Sequence, residues 1–439
     1  MATAQSSRTV IALAALAFAL PAHASADAVT MWSINANRAA NATCIGPSGN
    51  GLYEARLYAM VHIAIHDAVN AIERRSRPYA YDAQTVSHAS FDAAVARAAR
   101  DVLLDIIGRL PADCMGTGQA TVEADYTAAL AAIPPGPSRT AGLQVGRSAA
   151  RAVLRLRQND GADQPLVDPD FPQGTRPGEY RFTPDLPFVF LPGWGRVTPF
   201  VLKHAAQFRP EPPYDVRSRK YAADVHEVQA LGGDDTTTPS TRSADQTEIG
   251  RFWLESSPQA WNRLARTVSA AQALEPWENA RLFALLNAAM ADGYIASWDT
   301  KFHYLFWRPV TAIRLGDTDG NPLTIGDATW TPLQLTYPMP DYDSGHAVQG
   351  GVAAEILKRF FGADDVSFTA CSFTLLPGST CSDPGAIYRS YSSFSQAAEE
   401  NSLSRIYVGI HFRKAVDEGE RHGRRIAGRA VRRFFQPVH

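Results

Sequence analysis

Beyond its N-terminal segment the 439-residue chain has no apolar run approaching the ~20 residues of a membrane-spanning helix, so the mature protein is expected to carry no span. It also has no excess of either charge. Its 42 Lys and Arg stand against 44 Asp and Glu, a formal net charge of -2. That balance argues against a bulk binder of nucleic acid or anionic membrane, so any cationic site must be a local arrangement. Cysteine is scarce. None of the four has CxxC spacing, which argues against a zinc ribbon or a dithiol redox centre. No internal repeat and no strand-rich block stands out. At 45% hydrophobic and 20% charged residues the chain is not composed like a disordered one and has length for a large core.

What is present begins with an export signal. The stretch MATAQSSRTVIALAALAFALPAHASADA has Arg8, an apolar run from Val10 to Leu20, then Pro21 and the small-residue patterns Ala22-His23-Ala24 and Ala24-Ser25-Ala26. Residues 1–26 are therefore expected to be removed as a signal peptide, leaving a protein of the periplasm or the medium that begins at Ser25 or Asp27. In that oxidising setting four cysteines allow three pairings. Cys371 and Cys381 enclose CSFTLLPGSTC, whose Pro, Gly and Ser suit a surface excursion, and this leaves Cys44 to pair with Cys114.

Helical patterning dominates the rest. Residues 51–73, 90–110, 142–158 and 277–302 repeat apolar side chains at three and four, are rich in Ala and Leu, and contain few β-branched runs. Between them Pro and Gly crowd residues 161–215, which can sustain neither a helix nor a central strand, and whose Phe and Trp suit a functional covering or an inter-domain loop. The expected architecture is all-α with two helical bundles: 27–160, the connecting segment 161–215, and 216–439.

Three segments gather chemistry in the last third. In KFHYLFWRPVTAIR, Lys301 and Arg308 stand seven apart among aromatic residues. Seven residues turn an α-helix through about 700°, which would leave the two cations about 20° apart on one face. Such a pair either snorkels to water or reaches into a shared pocket. The second segment, PDYDSGHAVQGGVAAEILKRF, places Ser344, the Gly345 amide and His346 at a helix N-terminus, where free N–H groups favour an anion. Ser344 could equally be an N-cap alone, and the surroundings are not the GxSxG elbow of a serine hydrolase. In the third, SLSRIYVGIHFRKAVDEGERHGRRI, Arg405 and His411 would lie about 120° apart on a helix, within reach of one point through the long arginine arm. Alone, His411 among apolar neighbours reads as a core histidine. Three cations, neutral donors and two imidazoles are together the inventory for a tetrahedral, multiply charged oxyanion.

In the order Lys-x6-Arg-Pro, Ser-Gly-His and Ser-Arg-x5-His the sequence resembles the vanadium-dependent haloperoxidases and the acid and lipid phosphatases that share their site, the PAP2 superfamily. SWDTKFHYLFWRPVTAIR is similar to the haloperoxidase version, Trp298 and Trp307 included, and MVHIAIHDAVNAIE resembles its secreted bacterial branch. The resemblance implies vanadate as cofactor, with phosphate able to take its place. His411 would be the imidazole on vanadium; Lys301, Arg308, Arg405, Ser344 and the Gly345 amide would hold the equatorial oxygens; His346 would be the acid–base group. Trp298 and Met339 would lie near the substrate. The implied activity is oxidation of halide by hydrogen peroxide. The rival readings are a secreted acid phosphatase that forms a phosphohistidine from a phosphomonoester, and a non-enzymatic phosphate-binding helical protein.

Departures from the family pattern carry their own expectations. Asp343 stands where Pro is usual and would raise the pKa of His346. Ala415 stands four residues after His411 where an acid is usual, with Asp417 two further on, which leaves the imidazole's orientation open. Met339 replaces the usual Phe or His. His62 and His66, one helical turn apart beside Asp67, lack the HExxH glutamate and read as a polar stripe. DTDGN (317–321) opens like a calcium loop but meets Ala328 at the twelfth position, so it reads as a turn. The basic stretch RHGRRIAGRAVRRFF reads as the solvated face of a terminal helix.

Overall fold

A computed structural model describes residues 27–46, 50–372 and 381–438; the expected signal peptide lies outside them. The fold is all-α. Among the described residues six helices precede the irregular segment: α1 (Ala28–Asn41), α2 (Gly51–Asn70), α3 (Phe91–Ile107), α4 (Ala112–Met115), α5 (Gly118–Ala131) and α6 (Pro137–Leu156). Eight follow it: α7 (Arg219–Leu231), α8 (Ala244–Phe252), α9 (Ser257–Ala271), α10 (Pro276–Tyr304), α11 (Pro309–Arg314), α12 (Gly345–Phe361), α13 (Phe394–Tyr407) and α14 (Arg413–Arg433). The four helical stretches read from periodicity correspond to α2, α3, α6 and α10. Helix starts carry side-chain acceptors for their free amides: Asp27 for α1, Ser90 for α3, and Ser243 with Gln246 as a capping box for α8.

The long helix α10 organises the molecule. It starts at a Glu275–Glu278 capping box with Pro276 in the first turn, and it is buried nearly all round. It packs against α2 on one side and α12 on another, while α12 also packs against α14. One apolar core therefore runs from Val29 on α1 through Phe283 on α10 to Ala430 on α14. A smaller core, including Trp307, Trp330, Tyr342 and Phe412, lies beneath the cationic segments.

Residues 161–215 are largely irregular, with a short antiparallel pair, β1 (Val167–Asp168) and β2 (Val189–Phe190), and two 3₁₀ turns. Backbone buried without a helix or sheet needs other partners. Asp292 on α10 supplies one set, accepting the amides of Phe200 at 2.6 Å and of Val201 and Leu202 at 2.7 Å. The same segment reaches the cationic region, where Tyr180 N donates to Leu305 O at 2.7 Å and Trp307 N donates to Gly178 O at 3.0 Å.

A second antiparallel pair, β3 (Phe368–Ser372) with β4 (Ile387–Tyr391), was not evident in the sequence. Disulfides join Cys44 to Cys114 and Cys371 to Cys381, the expected pairing. The basic face of α14 is solvated: Arg421, Arg424, Arg425, Arg432 and Arg433 are exposed, while His422, Ile426 and Ala430 are buried. No described helix is long and apolar enough to cross a membrane.

Candidate active site

Lys301 and Arg308 do converge, though not by lying on one helical face. Helix α10 stops at Leu305, which is left-handed with φ 49°, and Arg308 is the N-cap residue of α11, with Pro309 in that helix's first turn. The shared-face expectation is thus corrected: the chain turns back between the two cations. Both side chains then grip residues 339–341. Lys301 Nζ donates to the carbonyls of Pro340 at 3.0 Å and Asp341 at 2.9 Å. Arg308 Nε donates to Met339 O at 2.7 Å, and an Nη of the same residue donates to Ile410 O at 2.9 Å. Each of the two cationic residues is only 1% exposed, which removes the snorkelling alternative.

Arg405 and His411 are likewise not on a common helix. Helix α13 ends at Tyr407, Gly409 adopts φ 81°, and His411 sits in the link that leads into α14. Its Nδ1 lies 2.8 Å from Asp341 Oδ1 and its Nε2 lies 3.0 Å from an Arg308 Nη. Because a guanidinium only donates, His411 accepts at Nε2 and gives its Nδ1 proton to Asp341. Burial, then Arg308 and Lys301, hold the imidazole's pKa well below the ordinary histidine range, so the ring is neutral.

Asp341 is the site residue that sequence reading missed. The pattern four residues after His411 pointed to Ala415. The Ala415 carbonyl instead accepts the Ser344 amide at 3.0 Å, while Asp417 faces Arg413 at 3.9 Å. The one available signal was the acid-rich turn PDYDS ahead of Ser-Gly-His. Burial pushes the Asp341 carboxyl up to about 7, against the pull of Arg308 and Lys301.

Ser344 is the N-cap of α12, and its Oγ accepts the Ala347 amide at 3.5 Å. The cap reading is therefore right, and it leaves the hydroxyl proton able to donate. A Cβ at Gly345 would lie 3.4 Å from the Tyr294 ring and 3.5 Å from the Trp298 ring, so this residue's α-carbon packs against the aromatic side chains of α10. His346 follows. Its pKa is lowered well below the usual histidine range by burial and then by Arg405, with the Glu255 carbonyl acting in the opposite sense. Asp343 does not act on His346 as expected. Its carboxylate takes the Ser297 hydroxyl of α10 at 2.7 Å and His422 Nδ1 of α14 at 2.7 Å.

Arg405 completes the set from the last turn of α13. One Nη donates to Trp253 O at 3.1 Å, and the Tyr337 and Tyr294 phenols lie close to the guanidinium. Trp298 is buried with its ring 5.8 Å from Lys301 Nζ, and Met339 is buried with its carbonyl on Arg308. His411 feels Arg308, Lys301, Arg405 and His346 together, so the three sequence segments meet in one place.

This pocket is electrostatically incomplete. Burial and then Arg308 pull the Lys301 ammonium down to about 7, and burial also lowers both arginines. Arg405 Nε, His346 Nε2 and Asp341 Oδ2 are buried without hydrogen-bond partners. The unpartnered Arg405 donor, beside clustered cations and a neutral imidazole acceptor, fits an oxyanion that can also bond to nitrogen. Vanadate and phosphate both meet that description.

The weaker sequence features are structural. His66 bonds Asp67 at 2.9 Å and Ser76 at 2.7 Å, and Asp67 also takes the amides of Tyr79, Ala80 and Tyr81. In the 317–321 turn Asp319 accepts the Asn321 amide and the Thr324 hydroxyl.

The fold is all-helical, with a buried cluster of cations and imidazoles drawn from its C-terminal half. Residues 281–439 match the family model described as the VCPO second helical-bundle domain. The vanadium chloroperoxidase of Curvularia inaequalis is 26% identical over 322 residues, which are 59% of this chain; the chain spans about half (51%) of that protein's length. A crystal structure of a bacterial vanadium-dependent iodoperoxidase superposes with a TM-score of 0.75 at 22% identity, covering 94% of this chain and 97% of that one. An apo-type bacterial vanadium-dependent chloroperoxidase superposes with a TM-score of 0.69 at 15% identity, covering 87% and 93%. The chain is thus similar to vanadium haloperoxidases over its C-terminal helical bundle and shares their fold.

Proposed function

We propose that the protein is an exported, vanadate-dependent haloperoxidase that oxidises halide with hydrogen peroxide. The observation that carries this reading is the placement of His411, with Nδ1 2.8 Å from Asp341 Oδ1 and Nε2 3.0 Å from an Arg308 Nη, which assigns the ring proton to Nδ1 and leaves Nε2 as the lone-pair nitrogen. A nitrogen so fixed is a metal ligand or a nucleophile, and not a general acid.

Lys301, Arg308, Arg405, the Ser344 hydroxyl and the Gly345 amide are the groups that would hold the oxygens of vanadate, with His411 Nε2 bonded to its metal. Bound vanadate supplies the Lewis acidity that polarises peroxide toward a halide. Arg308 and Arg405, joined by Lys301 in its protonated form, would hold the oxyanion's charge. His346, neutral when the pocket is empty of anion, is suited to take a proton at Nε2 from hydrogen peroxide and to return it to the departing oxygen. Trp298 and Met339, both buried beside these cations, would supply apolar surface that limits water around the reacting atoms.

The test compares protein freed of oxyanion with the same protein given orthovanadate. Bromide or iodide oxidation with peroxide is measured beside hydrolysis of an aryl phosphate. Vanadate-dependent halide oxidation with little hydrolysis is expected. Hydrolysis that vanadate inhibits would assign the phosphatase reading instead, and phosphate binding with neither activity would assign a binding protein. His411→Ala should abolish either chemistry.

A further inference from the structure

Among the described residues, β3 and β4 contribute none of the side chains of the cationic cluster, and an isolated two-stranded pair is marginal by itself. Here it is closed by the Cys371–Cys381 disulfide and joined to the protein through two carboxylates. Glu255, only 7% exposed in the link between α8 and α9, accepts from both terminal nitrogens of Arg263, one of them at 2.6 Å, and from the Ser372 hydroxyl of β3 at 3.2 Å. Arg263 in turn donates to the Cys371 carbonyl through Nε at 3.0 Å and an Nη at 2.8 Å. Glu400 on α13 accepts Arg389 at 2.8 and 3.0 Å and the Tyr391 hydroxyl at 2.7 Å, both from β4.

These two carboxylates meet on one short stretch. Glu400 also takes the Trp253 indole N–H at 3.1 Å, and Trp253 presents its own carbonyl to Arg405 at 3.1 Å. Two residues later the Glu255 carbonyl faces His346. Residues 253–255 thus offer backbone acceptors to one cation and one imidazole of the pocket, while their side chains are tied to the hairpin. Arg308, by contrast, is held by the Met339 and Ile410 carbonyls, with no connection through the hairpin.

We propose that the disulfide-closed hairpin is a buttress that positions Arg405 for the oxyanion, acting through Trp253, Glu255 and Glu400. This deepens the oxyanion-site reading and rests on it. The unpartnered Nε of Arg405 is then the donor presented to the ligand, and the Trp253 carbonyl, together with the Tyr337 phenol beside the same guanidinium, holds the plane in which it points. A bidentate fork loses much of its value when its plane can rotate, so loosening the strap affects binding more than folding.

The test uses full-length protein with ¹⁵Nε-labelled arginine, in which the Arg405 and Arg308 side-chain signals are identified by their loss in Arg405→Lys and Arg308→Lys. Water exchange at both Nε–H groups is then followed in Glu255→Gln, in Glu400→Gln and in the paired Cys371→Ser, Cys381→Ser variant. Exchange at Arg405 should quicken at least tenfold in each, with Arg308 unchanged, and sulfate affinity should fall about tenfold. Unchanged Arg405 exchange would overturn the proposal. So would equal acceleration at Arg308, which would show general loosening. The readout does not depend on ligand, so a wild-type protein that binds neither sulfate nor vanadate would refute the oxyanion reading while leaving the buttress to be judged by Arg405 alone.

Discussion

Asp341 decides what His411 can be. Without it the imidazole could turn or donate from Nε2, and its lone pair would no longer be offered to the pocket. Removing the carboxylate has two opposed effects: it frees His411, and it removes a negative charge that repels anions. Partners of a metal-bound histidine are typically worth 10–100-fold in affinity. For vanadate, which needs the nitrogen bond, loss of orientation should win. Asp341→Ala is therefore expected to weaken vanadate binding about 10–100-fold and phosphate binding much less, so that the ratio of the two calorimetric affinities falls; an unchanged ratio would show that Asp341 does not orient the ligand nitrogen. Lys301 gives a second prediction. Its ammonium is pulled down to about 7, so above that pH the free pocket loses a cation, and ionisation of Asp341, also at about 7, adds a repelling charge. Both act in one direction. A bound oxyanion raises the pKa of Lys301, so binding takes up protons and weakens as pH rises past about 7. Sulfate, which does not itself titrate there, is the probe. Its affinity should fall steadily between pH 7 and 9, and Lys301→Gln should flatten that slope.

Helices deliver these residues, and their crossing geometry sets the loop between them. Helices α12 and α14 approach closely at Gly423, where a Cβ would collide with the Val348 carbonyl and stand 2.7 Å from Val352 N. At Gly419 a Cβ would stand 2.8 Å from Ser344 O, directly under the oxyanion loop. Overpacking at such a contact typically costs 1–3 kcal/mol. Gly423→Ala should lower stability to urea by about 2–3 kcal/mol, whereas Gly419→Ala should reduce sulfate affinity more than stability; equal effects on both measurements would argue against a separate role for the loop contact. The sequence revealed the bodies of these helices because a long 3.6-residue pattern records burial directly. It did not reveal where they stop. Leu305 and Gly409 break α10 and α13 through left-handed backbone, so Lys301 with Arg308, and Arg405 with His411, meet by a turned chain that helical arithmetic does not describe. The motif residues were legible as types in order. Their partners were not: Asp341, Asp343 and Glu255 act across elements, where spacing carries no information. The hairpin escaped notice because five-residue strands with mixed burial leave no lasting alternation.

At the scale of the whole molecule, the expected boundaries at 160 and 216 and the observed core make different thermal behaviour possible. Two bundles with separate cores would melt separately. The apolar core, however, includes α1, α2 and α3 together with α10, α12 and α14, and α10 packs on both α2 and α12. The cationic cluster draws on α10, the start of α11, the lead-in to α12, the last turn of α13 and the link to α14, while Asp292 on α10 also holds down residues 200–202. Cooperative unfolding follows from such sharing, because no bundle can open without exposing part of the other's interior. A ligand that binds the native state at 100 times its dissociation constant stabilises it by about 2.7 kcal/mol. Scanning calorimetry should accordingly show a single transition that orthophosphate moves upward as a whole. Two transitions, with the lower one indifferent to phosphate, would mean that residues 27–160 fold as an independent domain and that α10 belongs energetically to the C-terminal bundle alone.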